Sequence, residues 1–107
     1  MRWMEYITIW SGERVQHEKV VGLLVQLEKL PSDEGLKKIR IFRHHRLDNE
    51  WGVQIEWESD KVAIKKSTLG LHLAQSFNNF GLISHFVWTE EKVFDLKAKS
   101  KASEQKT

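Results

Sequence analysis

The chain has 107 residues, no cysteine and a formal net charge of +2 at neutral pH. This length suits a single domain, because each half would be too small to form a stable core without disulfides or metal. Without cysteine, the chain alone cannot form disulfide bonds, thiolate zinc sites, iron–sulfur clusters or thiol nucleophiles. The composition fits a reducing compartment, and we predict a cytoplasmic protein.

The apolar segments of the chain are too short to cross a membrane. The longest, residues 20–27, falls well below the roughly 20 residues that span a bilayer. Glu5 lies where a secretory signal would carry its apolar core. We therefore expect no membrane partner and no export.

The positive charge is concentrated at the C-terminal end. Residues 96–107 carry four lysines and one glutamate, and subtracting this +3 from the total leaves about −1 for residues 1–95. A nearly neutral folded part gives no electrostatic reason to expect a nucleic-acid partner. We predict one domain over residues 1–95 and a disordered basic tail over 96–107, since the tail has almost nothing to bury.

The first predicted element is a strand over residues 3–10, which are rich in aromatic and β-branched types and end at Ser11 and Gly12. A helix follows, because apolar residues recur at spacings of three and four. They are Val20, Leu23, Leu24, Leu27 and Leu30. The turn-forming residues 31–35 end this helix.

Two strands come next, over residues 37–47 and 51–58. In the second strand apolar and polar residues alternate, which is the pattern of a strand with one buried face. The apolar side consists of Trp51, Val53, Ile55 and Trp57.

The loop between these two strands decides their register. A three-residue loop over residues 48–50 sets Arg40 opposite Glu58. It also places Ile39 and Ile41 on the apolar face. A two-residue turn would instead set Ile41 opposite Glu56, so we predict the three-residue loop.

The last two elements are a helix over residues 67–80 and a strand over residues 82–88. The apolar side of this helix carries Leu69, Leu73, Ser76 or Phe77, and Phe80. Gly81 suits a C-terminal cap in the left-handed conformation. The order strand, helix, strand, strand, helix, strand predicts a ferredoxin-like α+β fold, a four-stranded antiparallel sheet with both helices on one face.

The first and last strands carry apolar residues on both sides, although two helices cover only one face of such a sheet. In the first strand, Tyr6 and Trp10 point to one face and Ile7 points to the other. In the last strand, Phe86 and Trp88 alternate with other apolar residues. Two-sided apolar strands indicate that both faces are buried. We therefore expect a homodimer in which two sheets pack face to face around a two-fold axis.

The strand order, the helix ending in Phe80 and Gly81, and the apolar strand with His85 and Trp88 resemble the dimeric α+β barrel proteins. The antibiotic-biosynthesis-monooxygenase-like family is the most similar branch, followed by the stress-responsive barrel proteins. This resemblance implies a barrel formed by two protomers, with small ligands held between sheet and helices. Cofactor-free oxidation of aromatic substrates and haem breakdown are activities of the superfamily.

Haem-degrading members use a histidine on the second helix, a tryptophan on a strand and an asparagine on the first strand. His72 and Trp57 match the first two positions, but the first strand contains no asparagine. This departure counts heavily against haem breakdown. His72 lies at the border of the apolar side of its helix, where exposure or a local hydrogen bond is the common situation for a histidine.

Three further residues are candidates for ligand binding. Trp10 and Trp57 would suit a cavity for a flat organic ligand, although tryptophans on strands more often belong to the core. His85 alternates with Ile83 and Val87, so it should point into a packed layer and need a hydrogen-bond partner. A structural partner, for example one across the dimer, is a more common role for such a histidine than catalysis.

Residues 37–46 form one dense basic run, composed of Lys37, Lys38, Arg40, Arg43, His44, His45 and Arg46. The run could bind an anion, but pairing with acidic residues of the neighbouring strand and turns is the simpler explanation. His44 and His45 would point to opposite faces if both belonged to a strand, so we expect no shared metal ion.

Two functions follow as expectations. The first is a small homodimeric enzyme without cofactor, in which His72, favoured over His85, removes a proton from an aromatic substrate that then reacts with oxygen. The alternative is a non-catalytic stress-response or small-molecule-binding dimer, or a module that simply assembles as a dimer. The fold cannot decide between them, because function depends on sites.

Overall fold

The computed structural model describes residues 1–11, 17–26, 34–47 and 49–96. The end of the first predicted helix, with Leu27 and Leu30, lies outside the described residues. The predicted disordered tail does too, apart from Leu96.

Six elements occur in the predicted order. They are β1 (Arg2–Trp10), α1 (His17–Val25), β2 (Leu36–Arg43), β3 (Glu50–Glu58), α2 (Thr68–Phe77) and β4 (Leu82–Thr89). The strands form one sheet in the order β2-β3-β1-β4, and every neighbouring pair is antiparallel. The predicted α+β class and four-stranded antiparallel sheet are therefore confirmed, and the topology is compatible with a ferredoxin-like fold. In the part of the chain that the structure describes, no helix has the length and apolar character to cross a membrane.

One face of the sheet packs against the helices. The core consists of odd-numbered residues of β1 and β3 together with residues of both helices, namely Trp3, Ile7, Ile9, Val20, Trp51, Val53, Ile55, Trp57, Leu73 and Phe77. The alternation read from the sequence of β3 is thus confirmed, because its four apolar residues are all buried. The opposite side of the sheet has no element over it among the described residues.

The predicted register between β2 and β3 is wrong. Arg40 lies opposite Gln54 instead of Glu58, and Ile41 lies opposite Val53. The connection is longer than three residues because β2 already ends at Arg43. There the Nδ1 atom of His44 accepts hydrogen bonds from the backbone N–H groups of Arg46 and Leu47, both at 3.1 Å. A side chain that binds its own following backbone competes with the strand ladder.

The expected geometry of His44 and His45 is also wrong, because neither residue belongs to a strand. Their rings stack with centroids 5.8 Å apart and planes inclined by 9°. Among the described residues no group of three or more possible metal ligands occurs.

Gly81 has a different role from the one predicted. The C-cap of α2 is Asn78, in a right-handed conformation, and Gly35 is the only glycine with positive φ in the described ranges. A Cβ atom at position 81 would lie 2.8 Å from the Ser11 Cα and from the Trp10 carbonyl carbon. Position 81 therefore requires glycine, because the backbone there lies against the backbone at the end of β1.

We predict that Gly81→Ala destabilises the protein by about 1–3 kcal/mol, because backbone atoms must move to admit the new methyl group. Gly22→Ala is the matched control, since nothing lies within 4 Å of a Cβ at that exposed helical position. It should be neutral or stabilise by up to about 1 kcal/mol. Urea denaturation measures both changes, and equal effects would contradict the assigned role of Gly81.

Candidate functional site

A buried carboxylate lies at the centre of the described structure. Glu5 points to the helix side of β1 and its side chain has no exposed surface. Its Oε1 atom accepts hydrogen bonds from the backbone N–H of Ser67 at 2.8 Å and lies 2.9 Å from Nε2 of His85. Its Oε2 atom accepts from the indole N–H of Trp57 at 2.9 Å and from the Ser67 hydroxyl at 2.5 Å. We call Glu5, Trp57, Ser67 and His85 the carboxylate cluster.

The sheet register brings the members of this cluster together. On β3, Ile55 lies directly opposite Glu5, and Trp57 is two residues further along. On β4, Val87 lies opposite Glu5, and His85 is two residues away. Diagonal neighbours on the same face of a sheet are within reach of long side chains, so both flanking strands direct a ring nitrogen toward one carboxylate.

Ser67 connects the carboxylate to α2. It is the N-cap of this helix, and its hydroxyl oxygen accepts the backbone N–H of Gly70 at 2.9 Å. A serine at this position satisfies one of the free N–H groups of the first turn. The carboxylate therefore lies at the positive end of the helix dipole, which favours a negative charge.

Gly70 makes this approach possible. A Cβ atom at this position would lie 2.8 Å from Cδ of Glu5 and 3.0 Å from Cε1 of His85. Gly70 is buried in the first turn of α2, so any side chain there would displace the carboxylate or the imidazole. The close contact between helix and sheet thus depends on a residue without a side chain.

The hydrogen-bond directions limit the chemistry of the cluster. The carboxylate oxygens of Glu5 accept three hydrogen bonds from Trp57 and Ser67, and a fourth hydrogen bond joins Oε1 to Nε2 of His85. The Ser67 hydroxyl donates to Glu5 and not to His85, so it is not set up as a nucleophile activated by histidine. The cluster can hold the helix and three strands together and can orient His85, whose side chain is only 5% exposed.

The predicted site residues fall in three places. Trp57 and His85 belong to the carboxylate cluster, and His85 does point into a packed layer with a hydrogen-bond partner in the same chain. Trp10 lies on the other face of the sheet and is exposed. His72 is exposed on α2 and is not part of the cluster. Its catalytic role stays a prediction.

Glu5, Ser67 and Gly70 were not among the residues chosen from the sequence. The position of Glu5 in the sequence did indicate a special role, because Glu5 lies between Trp3 and Ile7 on the buried face of β1. A charged residue at such a position must have partners, since an unpaired buried charge is very costly. Ser67 was recognisable as a helix start, but its bond to Glu5 depends on packing.

The other face of the sheet, which we call the open face, is rich in exposed apolar groups. It consists of the even-numbered residues of β1 and of the residues that lie beside them across the sheet. They are Met4, Tyr6, Thr8, Trp10, Lys38, Arg40, Phe42, Gly52, Gln54, Glu56, Leu82, Ser84, Phe86 and Trp88. Five of them are large apolar residues that expose between 46% and 69% of their surface, namely Trp10, Phe42, Leu82, Phe86 and Trp88. Four of these five lie on β1 and β4, as the two-sided pattern of those strands indicated.

A depression of about 250 Å³ lies at one end of the open face. Met4 and Trp88 contribute its apolar lining, and Arg2, Glu56 and Glu90 are among its polar residues. The pKa of Arg2 is raised above its usual value, first by the hydrogen bond to Glu58 and then by the charge of Glu90. The guanidinium is therefore already matched by carboxylates of this protein.

Comparisons with protein families, with curated proteins and with solved structures give no match for this chain. The function must therefore be argued from the carboxylate cluster and the open face.

We predict that Glu5→Gln destabilises the protein by about 3 kcal/mol, because an amide offers one acceptor oxygen and turns an NH₂ group toward buried donors. Glu91→Gln removes one carboxylate from an exposed position and should change stability by less than about 0.5 kcal/mol. Chemical denaturation at neutral pH compares the two variants. A loss below about 1 kcal/mol for Glu5→Gln would show that the cluster does not hold the helix on the sheet.

Proposed function

We propose that the protein is a homodimeric small-molecule-binding protein whose two protomers pack through their open faces. The observation that carries this proposal is the set of five exposed large apolar residues on one face of the sheet. An apolar surface of this kind marks an interaction site, because leaving it in water is unfavourable. A second copy of the chain is the partner that is always present at the same concentration.

The size of the apolar surface is adequate for such an interface. Large apolar side chains bury about 200 Å² each, so five that are half exposed offer on the order of 500 Å² per protomer. Two protomers would together remove about 1,000 Å² from these side chains alone, which reaches the lower limit for a specific interface. Polar residues of the same face add to this area.

Several polar groups of the open face already have partners, and Lys38, which has no carboxylate within 4 Å among the described residues, lies on the outermost strand β2, where its long side chain can keep the ammonium group in water. Thr8 and Ser84 are hydrogen-bonded to each other. Arg40 contacts Glu56 at 3.2 Å and Gln54 at 3.3 Å. Burying groups that already have partners costs less than burying free ones. A two-fold axis then brings apolar patch against apolar patch, because each copy presents the same surface.

The depression beside Trp88 is a ligand position that the described residues offer. The ligand expected from the sequence would lie between sheet and helices, where the described core residues beside the carboxylate cluster are buried. The depression offers an exposed indole and a thioether, both of which favour contact with an aromatic ring. A volume of about 250 Å³ is slightly below the range of drug-sized sites, so the ligand would be a small aromatic molecule.

The enzymatic alternative is a cofactor-independent monooxygenase of the kind that the sequence resemblance implies. The observation in its favour is the hydrogen bond between Glu5 and His85, since a carboxylate that orients a histidine is a common arrangement for a general base. The imidazole is covered by the first turn of α2, so a substrate would reach it only after that helix moved. We therefore rank this function second.

We predict that the wild-type chain elutes as a dimer of about twice 12.6 kDa at micromolar concentration, measured by light scattering coupled to size exclusion. Leu82→Glu and Phe86→Glu should each shift it to a monomer, because a charge on the open face would be buried without a partner.

Leu71→Glu is the matched control for Leu82→Glu. Leu71 is also exposed, but it lies on α2 and not on the open face. This variant should remain dimeric with an unchanged elution volume. A wild-type monomer, or the same loss of dimer in the control, would contradict the proposed interface.

A further inference from the structure

The edge of the sheet formed by β2 carries cations that the rest of the described structure does not neutralise. β2 is the outermost strand on its side, and it continues into the loop that contains His44, His45 and Arg46. We call the exposed residues Lys37, Lys38, Arg43, His44, His45 and Arg46 the basic edge. Cross-strand pairing with acidic residues was the simpler explanation of this run.

That explanation holds for Arg40 alone among the described cations of β2 and its loop. Arg40 lies 3.2 Å from Glu56. Lys37, Lys38, Arg43 and Arg46 are exposed, and none has a carboxylate within 4 Å among the described residues. These four cations, which have no carboxylate partner among the described residues, lie within ten residues of sequence and form a locally positive surface, although the whole chain carries only +2.

These cations follow β2 and the loop after it, with Lys38 on the open face and Arg43 on the helix side of the sheet. A strand advances about 3.3 Å per residue, so Lys37 and Arg43 are roughly 20 Å apart along the edge, and Arg46 lies in the loop beyond Arg43. At the loop end, the rings of His44 and His45 form a flat stacked pair. Exposed cations along a strand edge, beside an exposed pair of stacked rings, combine the two features with which proteins hold unpaired nucleotides, namely phosphate contacts and stacking.

We propose that the basic edge binds single-stranded nucleic acid, with the four cations on phosphates and the stacked imidazoles against a base. This departs from the absence of a nucleic-acid partner expected from the overall charge. It does not require the proposed dimer, and of the four cations only Lys38 also belongs to the open face, on the outermost strand of the sheet. Arg43 shares the face of Trp51, on the helix side of the sheet, and Arg46 lies in the loop, so neither belongs to the open face.

The test is the salt dependence of binding of a fluorescent twelve-nucleotide single strand, measured by anisotropy with the full chain. Four phosphate contacts predict that affinity falls about 50-fold between 50 and 200 mM salt. Arg43→Gln combined with Arg46→Gln leaves two contacts, so the fall should shrink to about 7-fold. Lys65→Gln with Lys66→Gln, an equal charge change at exposed positions that are not part of the basic edge, should keep the 50-fold fall.

Melting temperatures of both double variants establish that they are folded. Absence of binding by the wild-type chain would overturn the proposal. Equal salt dependence of the two double variants would overturn it too, because binding would then reside elsewhere, for example in the lysines of residues 97–107. Displacement of the oligonucleotide by linear polyphosphate at equal charge concentration would overturn the assignment to nucleic acid, since stacking would contribute nothing.

Discussion

The buried carboxylate of Glu5 is the constraint on which the rest of this structure depends. It receives donors from β3, from β4 and from the first turn of α2, while it belongs to β1 itself. Removing a carboxylate from water is costly, and only complete pairing offsets this cost. Complete pairing requires the correct sheet register, the capped helix start and the absence of a side chain at Gly70. One residue thus ties together the packing of four elements.

The carboxylate cluster also determines which face of the sheet is closed. Because Glu5 and its partners occupy the helix side, the even-numbered residues of β1 face away from the helices. The tryptophans divide in the same way. Trp3, Trp51 and Trp57 are buried in the core, whereas Trp10 and Trp88 are exposed on the open face. The same sheet therefore has a buried core on one side and an exposed apolar surface on the other.

The sequence was sufficient for the element order and for the faces of the strands. Apolar and polar residues alternate with a period of two in residues 51–58. A shift of the strand by two residues therefore leaves the same residues buried. It was not sufficient for the pairing of β2 with β3, because His44 binds its own following backbone and ends the strand early. Gly81 illustrates a similar limit. Its need for glycine comes from the backbone of β1, which is distant in sequence.

The candidate site was only partly predictable for the same physical reason. Trp57 and His85 could be named because they are polar or aromatic residues at buried strand positions. Their common partner, Glu5, is on a strand that is distant in the chain from both, so only the fold reveals the contact. His72 was chosen from its position on a helix. The buried side of that helix is formed by Gly70, Leu73 and Phe77, whereas His72 is exposed.

Quenching of tryptophan fluorescence by iodide tests the central claim most directly, namely that a second copy covers the open face. At low protein concentration, where the dimer dissociates, Trp10 and Trp88 should be accessible to the quencher. The three core tryptophans should stay protected. As the concentration rises through the dissociation constant, the quenchable fraction should fall toward zero. A quenchable fraction that stays constant up to concentrations of about 100 µM, far above the micromolar affinities of typical weak interfaces, would contradict the account.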